Sequence, residues 1–225
     1  MHIEEGIVTG AKIFLSYGTA VVSLGLGAKM LIDSLRREGS LLPVLVRSAI
    51  TTALVFCFFE LLPHHAVGVS EVHLILGSTL YLIFGGGPAA VGLALGLLVQ
   101  GIFFAPFDLP QYGMNITTLL VPLWAMGALA KRIITPNTAY KDVSYAQALA
   151  LSTTYQGGIV LWVGFWSIYG QGLGAENLAA VATFGGAYML VILVEPLIDL
   201  AVLAGAKLIG GAPRQLFTSR LYAAE

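Results

Sequence analysis

Residues 182–205 read ATFGGAYMLVILVEPLIDLAVLAG, an apolar stretch relieved only by Glu195, Pro196 and Asp199. Coiled at 1.5 Å per residue, about 20 such residues cross the ~30 Å hydrocarbon core of a bilayer. Six further apolar stretches precede it, at 12–34, 44–62, 74–85, 88–105, 116–131 and 146–168. The third is short for a crossing, so either its ends dip into the loops or it is partly re-entrant and shielded by its neighbours. Across all 225 residues, 57% are hydrophobic, 10% are charged, and the mean hydropathy is +0.87. A soluble domain carries about 25% charge, so this chain cannot coat a water-exposed surface. Seven spans need roughly 140 residues, which the length accommodates. The expected fold is an all-α polytopic membrane protein of about seven transmembrane helices. Disorder, a disulfide scaffold and a nucleic-acid module are excluded, the last because the net charge is −1. Cys57 is the single cysteine, so no internal disulfide or thiolate cluster can form.

Basic residues set the orientation. Arg36, Arg37 and Arg47 flank the first connection, Lys131, Arg132 and Lys141 the fifth, and Lys207, Arg214 and Arg220 the tail. The loops at 63–73, 106–115 and 169–178 contain no Lys or Arg. The positive-inside rule places the N-terminus outside and the C-terminus in the cytoplasm. The domain reading is a single membrane unit over 1–225: an N-terminal segment 1–11, a bundle 12–205 and a cytoplasmic tail 206–225. The first residues, Met1-His2-Ile3-Glu4-Glu5, lack the basic start of a signal peptide, so the mature protein is expected to keep its first residue. The outer side carries Glu4, Glu5, Glu71, Asp108 and Glu176 against Lys12. These are either solvated loop charges or a mild attraction for cations.

Ser23 and Gly27, four apart in the first span, have the small-xxx-small spacing of helix–helix contact, within this chain or with another. Gly85-Gly86-Gly87-Pro88 reads as an inner-side turn. No Gly-Lys-Ser/Thr phosphate loop follows it, so any ATP-driven work needs another subunit.

All four histidines lie on the outer side: His2, His64, His65 and His73. None is at mid-membrane, where a b-type haem would need axial ligands. His2 has a particular chemistry. A free α-amine, the amide nitrogen of residue 2 and the Nδ1 of its imidazole close chelate rings around one ion, and an imidazole such as that of His73 completes a square plane. Square-planar nitrogen ligation is the mark of Ni(II) or Cu(II), whereas zinc prefers a tetrahedron. Plainer readings stand beside this one: a polar residue at an exposed terminus for His2, an interfacial histidine bonded to loop backbone for His73, and a solvated turn for Pro63-His64-His65.

Met1-His2-Ile3 followed by Glu5-Gly6 resembles the start of the CbiM/NikM family, the substrate-binding (S) membrane subunits of energy-coupling-factor transporters for cobalt and nickel. So do Val72-His73-Leu74 with Gly77, then Gly87-Pro88, a Leu-rich helix and Gln100. Gly113-Met114-Asn115 is similar to the family's Gly-Ala-Asn, and Val194-Glu195 to a position in its last span. The resemblance implies that the N-terminal amine of Met1, the backbone nitrogen and imidazole of His2, and His73 hold the metal, making 1–11 the metal-binding segment. It further implies no cofactor, Co(II) or Ni(II) as transported substrate, a transmembrane coupling (T) subunit, partner ATPase subunits, and a small accessory membrane subunit in some members. The setting it implies is the plasma (inner) membrane of a bacterium or archaeon. In place of the family's Pro-Gly-Gly-Thr/Ser, this chain has His64-His65-Ala66-Val67-Gly68-Val69-Ser70-Glu71 before His73, and one extra residue separates His73 from Gly77.

Around that set, Glu71, His64 and His65 are candidates for an outer shell or pocket lining, with Glu71 equally able to face water. Asn115 is expected to cap the fifth span or to brace the N-terminal segment. Gln100 is expected to bond between helices. Glu195, ahead of Pro196, is expected to donate as a neutral acid to the carbonyl that the proline leaves without its amide, and Asp199 to lie near the inner boundary. Ser23 and Gly27 are the candidate contact with a coupling subunit. A membrane enzyme with an outer-side metal is the rival reading. It lacks His-Glu-x-x-His and Gly-x-Ser-x-Gly motifs, and a hydrolytic metal needs a position open to water. A non-catalytic structural membrane protein leaves His2 and His73 unexplained.

Overall fold

A computed structural model describes residues 3–209. Met1 and His2 lie outside the described residues, as do Arg214 and Arg220 of the tail. The described chain forms seven α-helices: α1 (Phe14–Glu38), α2 (Leu41–Glu60), α3 (Gly77–Phe84), α4 (Gly86–Phe103), α5 (Tyr112–Ile133), α6 (Tyr145–Gln171) and α7 (Ala175–Ile209). Six of them, all but α3, are long and apolar enough to cross a membrane. The protein is an all-α polytopic membrane protein.

Local chemistry sets the helix ends. Gly39 closes α1 in the left-handed conformation (φ 62°), its amide bonded to the Leu35 carbonyl. A reciprocal capping box between Ser144 and Gln147 opens α6. α4 and α5 are the most enclosed spans, whereas α1, α2 and α7 turn most of their surface outward. α2 lies along α4, α1 against α5, and α6 against both α5 and α7. The core runs through Val55, Leu80, Leu93, Leu119, Leu123, Ile159 and Tyr188, among others.

Ser23 and Gly27 belong to that interior, which corrects their expected role. Ser23 is fully buried, its hydroxyl donating to the Ala20 carbonyl. A Cβ on Gly27 would sit 3.3 Å from Leu120 and 3.7 Å from Ala90. Their smallness brings α1 close to α4 and α5 of the same chain, and it is Val21, Val22 and Leu24 that α1 turns outward. Leucine at either position would unseat the bundle rather than spare it.

The third crossing is not a helix throughout. Residues 73–76 form no helix, Leu76 taking the left-handed conformation (φ 53°), and α3 has only eight residues. This segment joins the two ends of the bundle. His73 is at one end against Phe59, 5.5 Å between rings. Phe84 is at the other, its carbonyl accepting from Arg47 Nη1 at 3.3 Å. Arg47 is 2% exposed, and its Nη2 stands 2.6 Å from Glu38, so one guanidinium ties the ends of α1, α2 and α3 together. Non-helical backbone is tolerated at membrane depth only where protein covers it, and here Ile75, Ser78, Leu80 and Leu82 are all buried. Of the expectation that the span is partly re-entrant and shielded by its neighbours, the shielding is seen, whereas the segment runs from one end of α2 to the other instead of turning back.

A small feature outside the all-α pattern precedes it. β1 (His65–Val67) and β2 (Ser70–Val72) form an antiparallel hairpin, pairing His65 with Val72, Ala66 with Glu71 and Val67 with Ser70. Its tip, Gly68 (φ 64°), rests on the Ala180 backbone of α7.

Candidate metal centre

The hairpin, the N-terminal segment and the starts of α3 and α5 converge at one end of the bundle. Ile3 adds to the hairpin edge as an antiparallel bridge to Ser70, and the Glu4 amide donates to the Val69 carbonyl at 3.2 Å. The Ile3 amide donates to Asn115 Oδ1 at 3.0 Å. Ile3 is 1% exposed and packs with Val8, Met114 and Trp166. Farther along, Gln171 Nε2 donates to the Gly6 carbonyl at 2.8 Å, and Lys12 Nζ to the Gly170 carbonyl at 2.8 Å. Gly170 is needed here because a Cβ would run into the Ile7 carbonyl, 2.8 Å from its carbon. The segment is therefore fixed from three sides, by the hairpin, α5 and α6.

His73 follows β2 directly and is 1% exposed. Its Nε2 lies 2.8 Å from Glu71 Oε2. A carboxylate there makes Nε2 the protonated nitrogen and leaves the lone pair on Nδ1, the arrangement that orients a ligating imidazole. His64 stacks on His73, ring centroids 4.8 Å apart and planes 15° from parallel. His64 Nδ1 in turn lies 3.2 Å from the Leu62 carbonyl, which can only accept, so its lone pair is on Nε2. His65 is exposed on β1 and takes no part. Glu71 and His64 are thus brought to His73, and His64 is not the solvated turn that its neighbours in sequence imply.

Asn115 is not an N-cap. α5 starts at Tyr112, so Asn115 lies inside the first turn and its side chain serves the Ile3 amide instead. The expected interhelical bond from Gln100 is not made at Oε1, which is buried without a partner among the described residues. Glu195 does not serve the proline-freed carbonyl. Its two oxygens accept from the Ile75 amide and from Gln156 Nε2. Asp199 is 1% exposed within the bundle, accepting from the hydroxyls of Ser78 and Thr79.

Beside Ile3 opens a cavity of about 290 Å³ lined by Glu4, Glu5, Glu71, Phe107 and Asp108. Partial burial, then the charges of Glu71 and Glu5, push the Glu4 carboxyl above its ordinary range. Among the described residues, no group of three or more His, Cys, Asp or Glu side chains is arranged to hold a metal. What the described chain offers is one oriented imidazole, an acidic approach to it, and a clamp on the residue that follows His2.

Residues 2–207 match the family described as CbiM, cobalt uptake substrate-specific transmembrane region. The chain belongs to the CbiM family. A CbiM protein is the substrate-specific membrane component of cobalt uptake, so this one is a transport component with several membrane spans. No curated protein and no solved structure matches the chain. Sequence reading missed the CbiM chain's hairpin and the Gln156–Glu195 contact. The polar residues inside otherwise apolar spans, Gln156 and Asn115 among them, were the signal for such contacts.

Proposed function

We propose that the chain captures Co(II) or Ni(II) as the S subunit of an energy-coupling-factor importer, in the plasma membrane of a bacterium or archaeon with the N-terminus outside. The ligands are the Met1 amine, the amide and imidazole nitrogens of His2, and His73 Nδ1. Chemistry at the metal is binding and release. The chain is not an enzyme, and ATP is hydrolysed by partner subunits, whose motion reaches it through a transmembrane T subunit, with a small accessory subunit where one is used.

The observation that carries this reading is the seat of Ile3. It bridges to Ser70, three residues before His73, with its amide on Asn115 and almost no exposure. Nothing in ordinary loop chemistry requires Ile3 to be buried on the edge of the hairpin that leads to a histidine whose tautomer is set by a carboxylate. A ligand set that includes the terminus does. The carboxyl groups of the cavity give it a negative approach that concentrates divalent cations, reduced at Asp108, whose carboxyl is pushed up to about 7 by burial and then by Glu71.

The test is accumulation of labelled cobalt or nickel in cells lacking other uptake routes. Uptake is expected only when the chain is produced with a T subunit and competent ATPases. Uptake by the chain alone, or none with the full set, would sink the importer reading. Asn115→Ala is expected to weaken metal binding about tenfold, because it strips a buried acceptor worth about 1–3 kcal/mol from the Ile3 amide. Unchanged affinity in a direct titration would show that the clamp does not matter to the site.

A further inference from the structure

Glu195 and Asp199 are wholly enclosed, 0% and 1% exposed. They stand four residues apart on α7, where side chains are neighbours and like charges repel. The charged pairs among the described residues are Lys29–Asp33 and Arg47–Glu38, with neutral His73 bonded to Glu71, so neither of the two has a cationic partner there. Among the described residues the groups that face them are neutral, and the charge of the N-terminal amine reaches Glu195 but not Asp199. From the third crossing come the Ile75 amide and the hydroxyls of Ser78 and Thr79. From α6 come Gln156 and Ser152, and Tyr140 faces Asp199 from the α5–α6 connection. The bases nearest in sequence are engaged elsewhere, His73 with Glu71 and Lys207 with the Lys141 carbonyl.

Two bare carboxylates in a dry interior cost several kcal/mol each, and a helix start returns only about half a charge. With no cation acting on Asp199, a proton is the available neutraliser there. The donors decide where it resides. Glu195 Oε1 faces a backbone N–H, which can only donate. Its Oε2 faces Gln156 Nε2, and that amide is oriented by the Tyr188 hydroxyl donating to Gln156 Oε1 at 2.7 Å. Asp199 faces two hydroxyls, which can turn and accept, so a proton there sacrifices no hydrogen bond. The Tyr155 hydroxyl, fully buried and without a hydrogen-bond partner among the described residues, stands against Gly77, 2.7 Å from where a Cβ would be, two residues from the Ile75 amide that Glu195 accepts from.

We propose that Glu195 and Asp199 form a buried proton-binding pair, Asp199 neutral and Glu195 ionised, that latches the start of α3 to α7. The pair holds whatever ion the chain carries, and its test uses no metal. Infrared spectra of the purified full chain in lipid nanodiscs at neutral pH are compared with those of Asp199→Asn and Glu195→Gln. The wild-type minus Asp199→Asn difference is expected to contain the carbonyl stretch of one protonated carboxyl group per chain. The outer carboxyls Glu4 and Asp108 cancel in it. Glu195→Gln is expected to keep that band. Absence of the band from the difference, or its loss in Glu195→Gln, overturns the assignment. Should Asp199→Asn fail to fold, a chain carrying Glu4→Gln and Asp108→Asn is used instead: with those carboxyls removed, a protonated-carboxyl band must persist as the pH is raised past the range where exposed acids ionise, and its disappearance there overturns the pair.

Discussion

One glycine added ahead of Met1 is expected to lower Co(II) and Ni(II) affinity by more than about a hundredfold, beyond the ten- to hundredfold loss typical of changes to outer-shell partners. The extension leaves every side chain in place. It moves the α-amine one residue away, so the chelate ring shared with the His2 amide cannot close. Ile3 cannot slide to compensate, since its bridge to Ser70 and its bond to Asn115 fix the register of the segment. The measurement is a titration of the purified chain against a competing chelator. For the unextended chain, affinity should climb with pH, because the amide binds only after losing its proton. Equal binding by both forms would remove Met1 from the ligand set and reopen the rival readings.

Gly170→Ala is the second large effect, expected to abolish high-affinity binding while leaving the bundle intact. The new Cβ would occupy the space of the Ile7 carbonyl and approach Val8 Cγ2 to 3.1 Å. Of the two bodies in contact, α6 is held along its length by α5 and α7, whereas the N-terminal segment is held by a few bonds. The segment is therefore the part that gives way, taking with it the residue that follows His2. Gly164→Ala on the same helix is the control, because a Cβ there meets nothing within 4 Å. Binding should survive in the control and fail in Gly170→Ala, with helical circular dichroism and monodispersity unchanged in both. Wild-type binding by Gly170→Ala would show that the seat against α6 is dispensable.

Much of this architecture was legible before any coordinates, and for physical reasons. Helices that cross a bilayer must be apolar for about 20 residues, so the six long spans showed themselves in composition alone, and the brevity of the stretch at 74–85 already signalled an unusual crossing. Other features left little trace. A hairpin of three residues per strand is too short for a period-two pattern to rise above chance. Ser23 and Gly27 announced a close helix contact, but spacing cannot say whether the partner belongs to the same chain. Asn115 was read from its place near a helix start, whereas its partner is 112 residues away in sequence. Glu195 was matched to the nearest broken helix bond, and its acceptor role depends on Ile75, 120 residues earlier. Local rules served wherever the controlling contact was local.

The short third crossing also has a consequence for how the protein is made. Eight helical residues cannot enter a bilayer as an independent span. The groups that satisfy the Ile75 amide and the Ser78 and Thr79 hydroxyls belong to α7. At 5–20 residues per second, a ribosome needs on the order of ten seconds to go from Ile75 to Glu195. Throughout that interval those three donors lack the acceptors that α7 brings. The crossing third in sequence thus gains its last partners only when α7 arrives, and a chain stopped short of α7 leaves three donors of that crossing unanswered in the membrane.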